Sequence, residues 1–177
     1  FLVSSNSNIQ KIQSSLHNLC SRFGEKTVID DVDFFLFPKP DILAKAPISE
    51  IQKCGLGYRT KSVKNASINV INEEISFESL KEGDYHSAKK RLKEIPGIGN
   101  KVADCILLFS LEKLEAFPLD RWMLRILKKY YREEFHISTK TITEKTYETL
   151  HNSIVDHFGC YAGYAQQFLF KMERELN

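Results

Sequence analysis

No run in this chain comes near the ~20 consecutive apolar residues that a membrane-spanning helix needs. Phe1-Leu2-Val3 is also too short an apolar stretch for a secretory signal, because Ser4-Ser5-Asn6 follows at once. Cysteine is scarce and scattered. Cys20, Cys54, Cys105 and Cys160 form no C-x-x-C pair, which argues against a zinc site or an iron–sulfur cluster. Free, buried thiols in a reducing compartment are therefore expected. Charge of one sign is lacking too: the net charge is +2, too small to announce a nucleic-acid partner unless the basic residues gather on one face. What remains is an ordinary globular composition, 42% apolar and 27% charged, in 177 residues. That length supports one domain, or two small lobes sharing a core. The chain opens on Phe rather than Met and is read as cut at its N-terminus.

Most of the chain patterns as helix. Ile9, Ile12, Leu16, Leu19, Cys20 and Phe23 make a helical stripe from Asn8 to Phe23, with Gly24 as its stop. Residues 28–38 are rich in Phe, Val and Asp and read as extended or loop, without the alternation that would build a sheet. Pro40 opens a short helix. Ser49 is expected to cap another that runs to Cys54, and Tyr58–Glu74 a longer one with Val63, Ala66, Val70 and Ile71 inward. A helical turn follows at 76–80, then helices at 85–95, 100–111, 120–131, 142–158 and 161–175. The expectation is a mainly α fold of about ten helices with short connections and no repeat.

The informative segment is a hairpin at about 86–112, centred on Leu92-Lys93-Glu94-Ile95-Pro96-Gly97-Ile98-Gly99-Asn100-Lys101-Val102-Ala103-Asp104. Pro96 cannot continue the first helix, and two glycines permit a tight turn before the second. The turn's N–H groups and the new helix N-terminus form a ready anion site, and a side chain at either glycine would hold a phosphate away. A plain pair of packed helices could use the same glycines. Lys101 stands in the first turn, where the helix dipole disfavours a cation and so favours the neutral amine that Schiff-base chemistry requires. Nineteen positions on, Ala116-Phe117-Pro118-Leu119-Asp120 sets an acid after a proline turn at a helix start. Capping alone would explain an aspartate there.

The L-x-x-I-P-G-I-G-x-K-x-A pattern resembles the helix-hairpin-helix of DNA repair proteins. A Gly/Pro-rich loop ending in aspartate after the hairpin, and a lysine at the position of Lys101, are similar to the lyase members of the helix-hairpin-helix glycosylase superfamily. Four further blocks resemble 8-oxoguanine DNA glycosylase/AP lyases of the eukaryotic and archaeal type. They are Phe1-Leu2-Val3-Ser4-Ser5-Asn6-Ser7-Asn8-Ile9, Leu56-Gly57-Tyr58-Arg59, Lys101-Val102-Ala103-Asp104-Cys105-Ile106 and Tyr161-Ala162-Gly163-Tyr164-Ala165-Gln166. The resemblance implies a glycosylase fold of two helical lobes flanking an active-site cleft.

It also implies roles. Lys101 attacks the anomeric carbon and Asp120 stabilises the charge that develops on the sugar. Gln166 reads the lesion's Watson–Crick edge while Cys105 and Phe170 sandwich its ring. Asn6 fills the space left by the extruded base, Tyr58 wedges into the stack, and Arg59 reads the orphaned cytosine. Lys11 stands where the family often has arginine and lacks the bidentate fork. Gly97, Gly99 and Val102 meet phosphate through the backbone.

Two departures matter. Trp122 occupies a place where the family often has a phosphate-contacting histidine, leaving Arg121 as the substitute. The β-rich N-terminal domain that helps full-length members tell oxidised from normal guanine is not in this sequence. Apart from that resemblance, Cys105 and Phe170 read as core residues and Gln166 as a solvated one. The competing readings are a glycosylase for another damaged base and a non-catalytic backbone-binding module. No cofactor is expected, although hairpin carbonyls of this kind can seat a monovalent or divalent cation. The expected partner is double-stranded DNA containing oxidised guanine, met by a monomer away from membranes. The expected compartment is the nucleus, or the cytoplasm or nucleoid of a prokaryote.

Overall fold

A computed structural model describes residues 1–137 and 142–176. The helices are α1 Ile9–Phe23, α2 Pro40–Lys45, α3 Ile48–Ile51, α4 Arg59–Ile71, α5 Phe77–Glu82, α6 Tyr85–Lys93, α7 Asn100–Ser110, α8 Arg121–Tyr130, α9 Glu144–Phe158 and α10 Ala162–Glu175. The mainly α reading holds. The chain divides into two compact units, residues 1–76 with 94–98, and residues 77–93 with 99–177.

In the first unit, α1 begins where Asn8 accepts the Lys11 N–H and ends where the Gly24 N–H closes onto the Cys20 carbonyl at 2.7 Å. Its inward residues join Val3, Leu43, Ala46, Ile51, Cys54, Leu56 and Val63 in one apolar core. Lys64 of α4 donates to the carbonyls of Ala44 (3.0 Å) and Ala46 (2.5 Å), satisfying the last carbonyls of α2 with a cation where the helix dipole favours one.

Three sequence expectations change here. Residues 26–35 form a sheet after all, β1 Lys26–Ile29 paired antiparallel with β2 Val32–Phe35. Asp30 and Asp31 turn the chain with φ of 50° and 60°, a left-handed pair that Asp tolerates better than most residues and that matches the twist of a two-residue hairpin. Alternation is lost because the strands are apolar and exposed on both faces. Pro47, not Ser49, caps α3, which gives way to a wide turn at Gln52–Leu56 that Gly55 enters with φ of 83°. Helix α4 is shorter than expected because Glu73 turns left-handed (φ 56°). Its buried face is Arg59, Thr60, Val63 and Ser67, spaced by four with one neighbour, while Ile71 is exposed.

The second unit centres on Phe117, Leu119, Met123, Ile126, Leu127, Phe135, Tyr147, Leu150, Ile154 and Ala162. Helix α8 shows why it folds as it does. Met123, Ile126 and Leu127 face inward, and Arg121, Arg125, Lys128 and Lys129 stay exposed. All four cysteines are free. Cys54 and Cys105 are buried, whereas Cys160 is exposed, against the expectation of buried thiols throughout.

Candidate active site

The hairpin turn is built by Ile95 and Ile98, both buried, with the Ile98 N–H on the Ile95 carbonyl at 3.1 Å. Gly97 has φ of +96°, and a Cβ there would stand 2.2 Å from the Ser62 hydroxyl oxygen. Packing inside the chain therefore requires Gly97, whether or not a phosphate approaches it. Gly99 differs. An added Cβ would meet no described atom within 4 Å, so the space over it is open. Gly99 is the N-cap of α7 and offers no side chain to the first turn. The first intrahelical bond runs from Ala103 N–H to the Gly99 carbonyl at 2.9 Å. The N–H groups of Asn100, Lys101 and Val102 thus precede the ladder, as an anion site needs. Glu144 straps the helices beside this turn, pairing with Lys93 at the end of α6 and accepting from Asn100 at 2.8 Å. The Lys93 contact holds its carboxyl below the usual carboxylate range.

Lys101 is half-buried in the first turn of α7. One turn on, on the same face of α7, is Cys105. Burial pushes the Cys105 thiol up, and the lysine charge pulls the other way. Asp120 is the N-cap of α8, accepting the Met123 N–H on Oδ1 at 2.8 Å. Gln166 is not the solvated residue that its sequence context predicts. It is 7% exposed, with its Oε1 bonded by Gln167. Phe170 is half-buried and tilts against Trp122 with ring centroids 5.8 Å apart, which joins α10 to the first turn of α8. The start of α10 packs backbone to backbone. The Gly163 N–H donates to the Leu114 carbonyl at 2.8 Å, and a Cβ on Gly163 would lie 2.8 and 2.9 Å from the carbonyl oxygens of Ala116 and Leu114. Arg121 is exposed on α8 beside Asp120.

The other predicted residues lie in the first unit. Asn6 is exposed with φ of 47°. Tyr58 is 67% exposed, and its hydroxyl donates to the Ser5 carbonyl at 3.2 Å. Arg59 is buried. Its guanidinium lies 4.5 Å from the Tyr58 ring centre and donates to the carbonyls of Ser5 (2.6 Å), Asn6 (2.7 Å) and Leu56 (3.3 Å). Arg59 thus holds the loop that carries Asn6. Lys11 is exposed on the first turn of α1.

One assembly escaped the sequence reading. Asp104, fully buried on α7, accepts from Tyr85 (2.8 Å), Lys89 (2.9 Å) and Tyr147 (2.6 Å). Lys89 is also buried, and desolvation lowers its pKa while Asp104 opposes the shift. The signal was present in Tyr85, Ala88, Lys89 and Leu92, an inward helical stripe with a lysine in it.

The sequence profile of the HhH-GPD superfamily base excision DNA repair proteins matches residues 1–152. The chain belongs to this superfamily. Among its HhH-GPD relatives is "N-glycosylase/DNA lyase OGG1" of Arabidopsis thaliana, 32% identical over 98% of this chain and 48% of the relative. The fold matches that of Clostridium acetobutylicum 8-oxoguanine glycosylase/lyase, solved with double-stranded DNA containing cytosine opposite 8-oxoguanine. The TM-score is 0.86 at 29% identity, covering 99% of this chain and 58% of that one. A protein solved as MBOgg1 in complex with a low-affinity DNA ligand gives a TM-score of 0.88 at 32% identity, over 99% and 58%. This HhH-GPD chain spans about half the length of the curated relatives it matches.

Proposed function

We propose that this chain carries the base-excision and strand-cleaving chemistry of an 8-oxoguanine DNA glycosylase/AP lyase, acting as a monomer on duplex DNA. The observation that carries the reading is Lys101 in the first turn of a helix without a side-chain cap, with Cys105 beside it and Asp120 capping the helix after the proline turn. Relatives described as 8-oxoguanine glycosylase/lyase support the substrate.

The neutral amine of Lys101 forms a bond to the anomeric carbon as the glycosidic bond breaks, and the expelled base leaves with a proton. Positive charge that builds on the sugar faces the Asp120 carboxylate, whose Oδ1 the Met123 N–H fixes in place. Opening of the sugar ring leaves a protonated imine. Its pull on electrons acidifies the neighbouring carbon, and loss of that proton expels the 3′ phosphate by β-elimination. Gln166 accepts or donates along the lesion's Watson–Crick edge, with Cys105 and Phe170 on its two faces. Asn6 fills the gap and bonds the orphaned cytosine, Tyr58 wedges into the stack and Arg59 also contacts that cytosine, while Gly97, Gly99 and Val102 hold the DNA backbone.

The test is borohydride trapping on duplex DNA with 8-oxoguanine opposite cytosine. Lys101→Gln, undamaged duplex and an abasic duplex are the comparisons. A covalent complex that requires both Lys101 and the lesion is expected. Trapping on the abasic duplex alone would limit the assignment to the lyase step. Trapping that persists in Lys101→Gln would remove that residue from the mechanism.

A further inference from the structure

Helix α7 carries Lys101 and the loop before α8 carries Asp120, and the buried side chains of Asp104 and Tyr147 link them. Asp104 lies three residues after Lys101 and next to Cys105. Its two oxygens accept from Tyr85, Lys89 and Tyr147, so the carboxylate is fixed from three sides. Lys89 also donates to the Tyr85 hydroxyl at 2.6 Å and lies 4.6 Å from the Tyr147 ring centre, which holds the positive charge inside the same cluster. The hydroxyl of Tyr147 donates a hydrogen bond to Asp104 at 2.6 Å and thereby turns a lone pair elsewhere. That lone pair accepts the backbone N–H of Leu119 at 3.0 Å. Leu119 directly precedes Asp120. On the Leu119 side of this chain of bonds, Phe117, Leu119 and Met123 are all buried.

We infer that Asp104 and Tyr147 are positioning residues that set the Asp120 loop in register with the helix bearing Lys101. This rests on the reading of Lys101 and Asp120 as the reacting pair. The physical case is direct. A phenol that donates to a carboxylate is a better acceptor for the next N–H, so the two bonds strengthen each other. Either bond alone would tether one element only. A tyrosine serves where a shorter hydroxyl residue would not, because α9 must reach both α7 and the loop. None of these groups touches the substrate in the proposed scheme.

The experiment measures the single-turnover rate of borohydride-trapped imine on an abasic duplex, beside binding to an uncleavable abasic analogue and thermal melting. Tyr147→Phe keeps the ring and removes the link, and the trapping rate is expected to fall on the order of 10- to 100-fold with DNA affinity nearly unchanged. The deciding arm is the Asp120→Asn background. If Tyr147 acts through Asp120, adding Tyr147→Phe there produces almost no further loss. A purely structural role would repeat its full factor in both backgrounds, and that result overturns the inference. Trapping by Tyr147→Phe at the wild-type rate overturns it as well. If Tyr147→Phe does not fold, Asp104→Asn is put through the same comparison under the same criteria. Failure of the wild-type chain to trap at all would instead refute the assignment of the reacting pair.

Discussion

The imidazole of His151 lies flat on the phenol of Tyr85, with ring centroids 4.6 Å apart and planes 3° from parallel. Its Nε2 donates to the Glu115 carbonyl at 3.2 Å, since a carbonyl oxygen only accepts. Burial holds the His151 pKa below its ordinary value; nearby Asp104 opposes that shift and Lys89 reinforces it.

A pH dependence of stability follows. Between the lowered folded pKa and the unfolded value of about 6.5, the unfolded chain binds more protons, so stability rises with pH and levels off above that window. The lowered carboxyls of Glu50, Asp84 and Glu144 lose their contribution only as pH falls through still lower values. Melting at pH 5.5 should therefore lie below melting at pH 7.5. His151→Phe keeps the stacked ring and should flatten the difference. An undiminished slope in that variant would assign it to other groups.

Asp120 has two duties that substitution can separate. Asparagine caps a helix as well as aspartate does, so Asp120→Asn should stay within about 0.5 kcal/mol of the wild-type stability in denaturant. Its trapping rate should nevertheless drop by roughly 10²- to 10³-fold, the usual effect of removing one charge-stabilising group. Asp120→Ala loses the cap as well and should cost about 1 kcal/mol more. Full-speed trapping by Asp120→Asn would show that the carboxylate only caps α8.

The two hairpin glycines should respond in opposite ways. Gly97→Ala meets both a left-handed backbone and the Ser62 side chain and should destabilise the fold by about 1–3 kcal/mol. Gly99→Ala meets open space. It should cost no more than about 1 kcal/mol, as alanine is the poorer N-cap, and weaken DNA binding roughly 10-fold, since a phosphate held by backbone N–H groups would be pushed away. Equal DNA binding by Gly99→Ala and wild type, read by fluorescence anisotropy at fixed salt, would argue against a phosphate there.

Gly163→Ala tests the start of α10. The two carbonyls beside the added methyl are backbone and cannot swing aside, so a loss of about 1–3 kcal/mol is expected from chemical denaturation. The exposed Cys160, changed to serine, should leave the denaturation midpoint where it is. A neutral Gly163→Ala would mean that the loop at 114–116 yields readily.

Helix positions were legible from the sequence because apolar residues recur at helical spacing and the breaks fall at Gly24, Pro96 and Pro118. The hairpin, Lys101 and Asp120 were legible for a different reason: chemistry confines them to a short motif. The strands at 26–35 were obscured because apolar side chains cover both faces, which erases period-two alternation. The interior polar cluster was obscured because Lys89 and Asp104 lie 15 residues apart, and charge on a helix ordinarily points to solvent. The resemblance alone points Arg59 to the DNA, and the carbonyls of Ser5, Asn6 and Leu56 that its guanidinium also meets inside the chain were not legible. Nothing in the spacing of Arg59 and Asn6 along the sequence encodes that contact.

The paired strands at 26–35 hide little apolar surface, with Val28 and Ile29 more than half exposed. Two strands without burial are marginal in water, so their amide protons should trade with deuterium through small local openings. The Leu119 amide, by contrast, is sealed under Tyr147 and can exchange only when the second unit's core opens. Exchange rates across one chain should therefore span its full range, fastest at Thr27 to Phe35 and slowest beside Asp120.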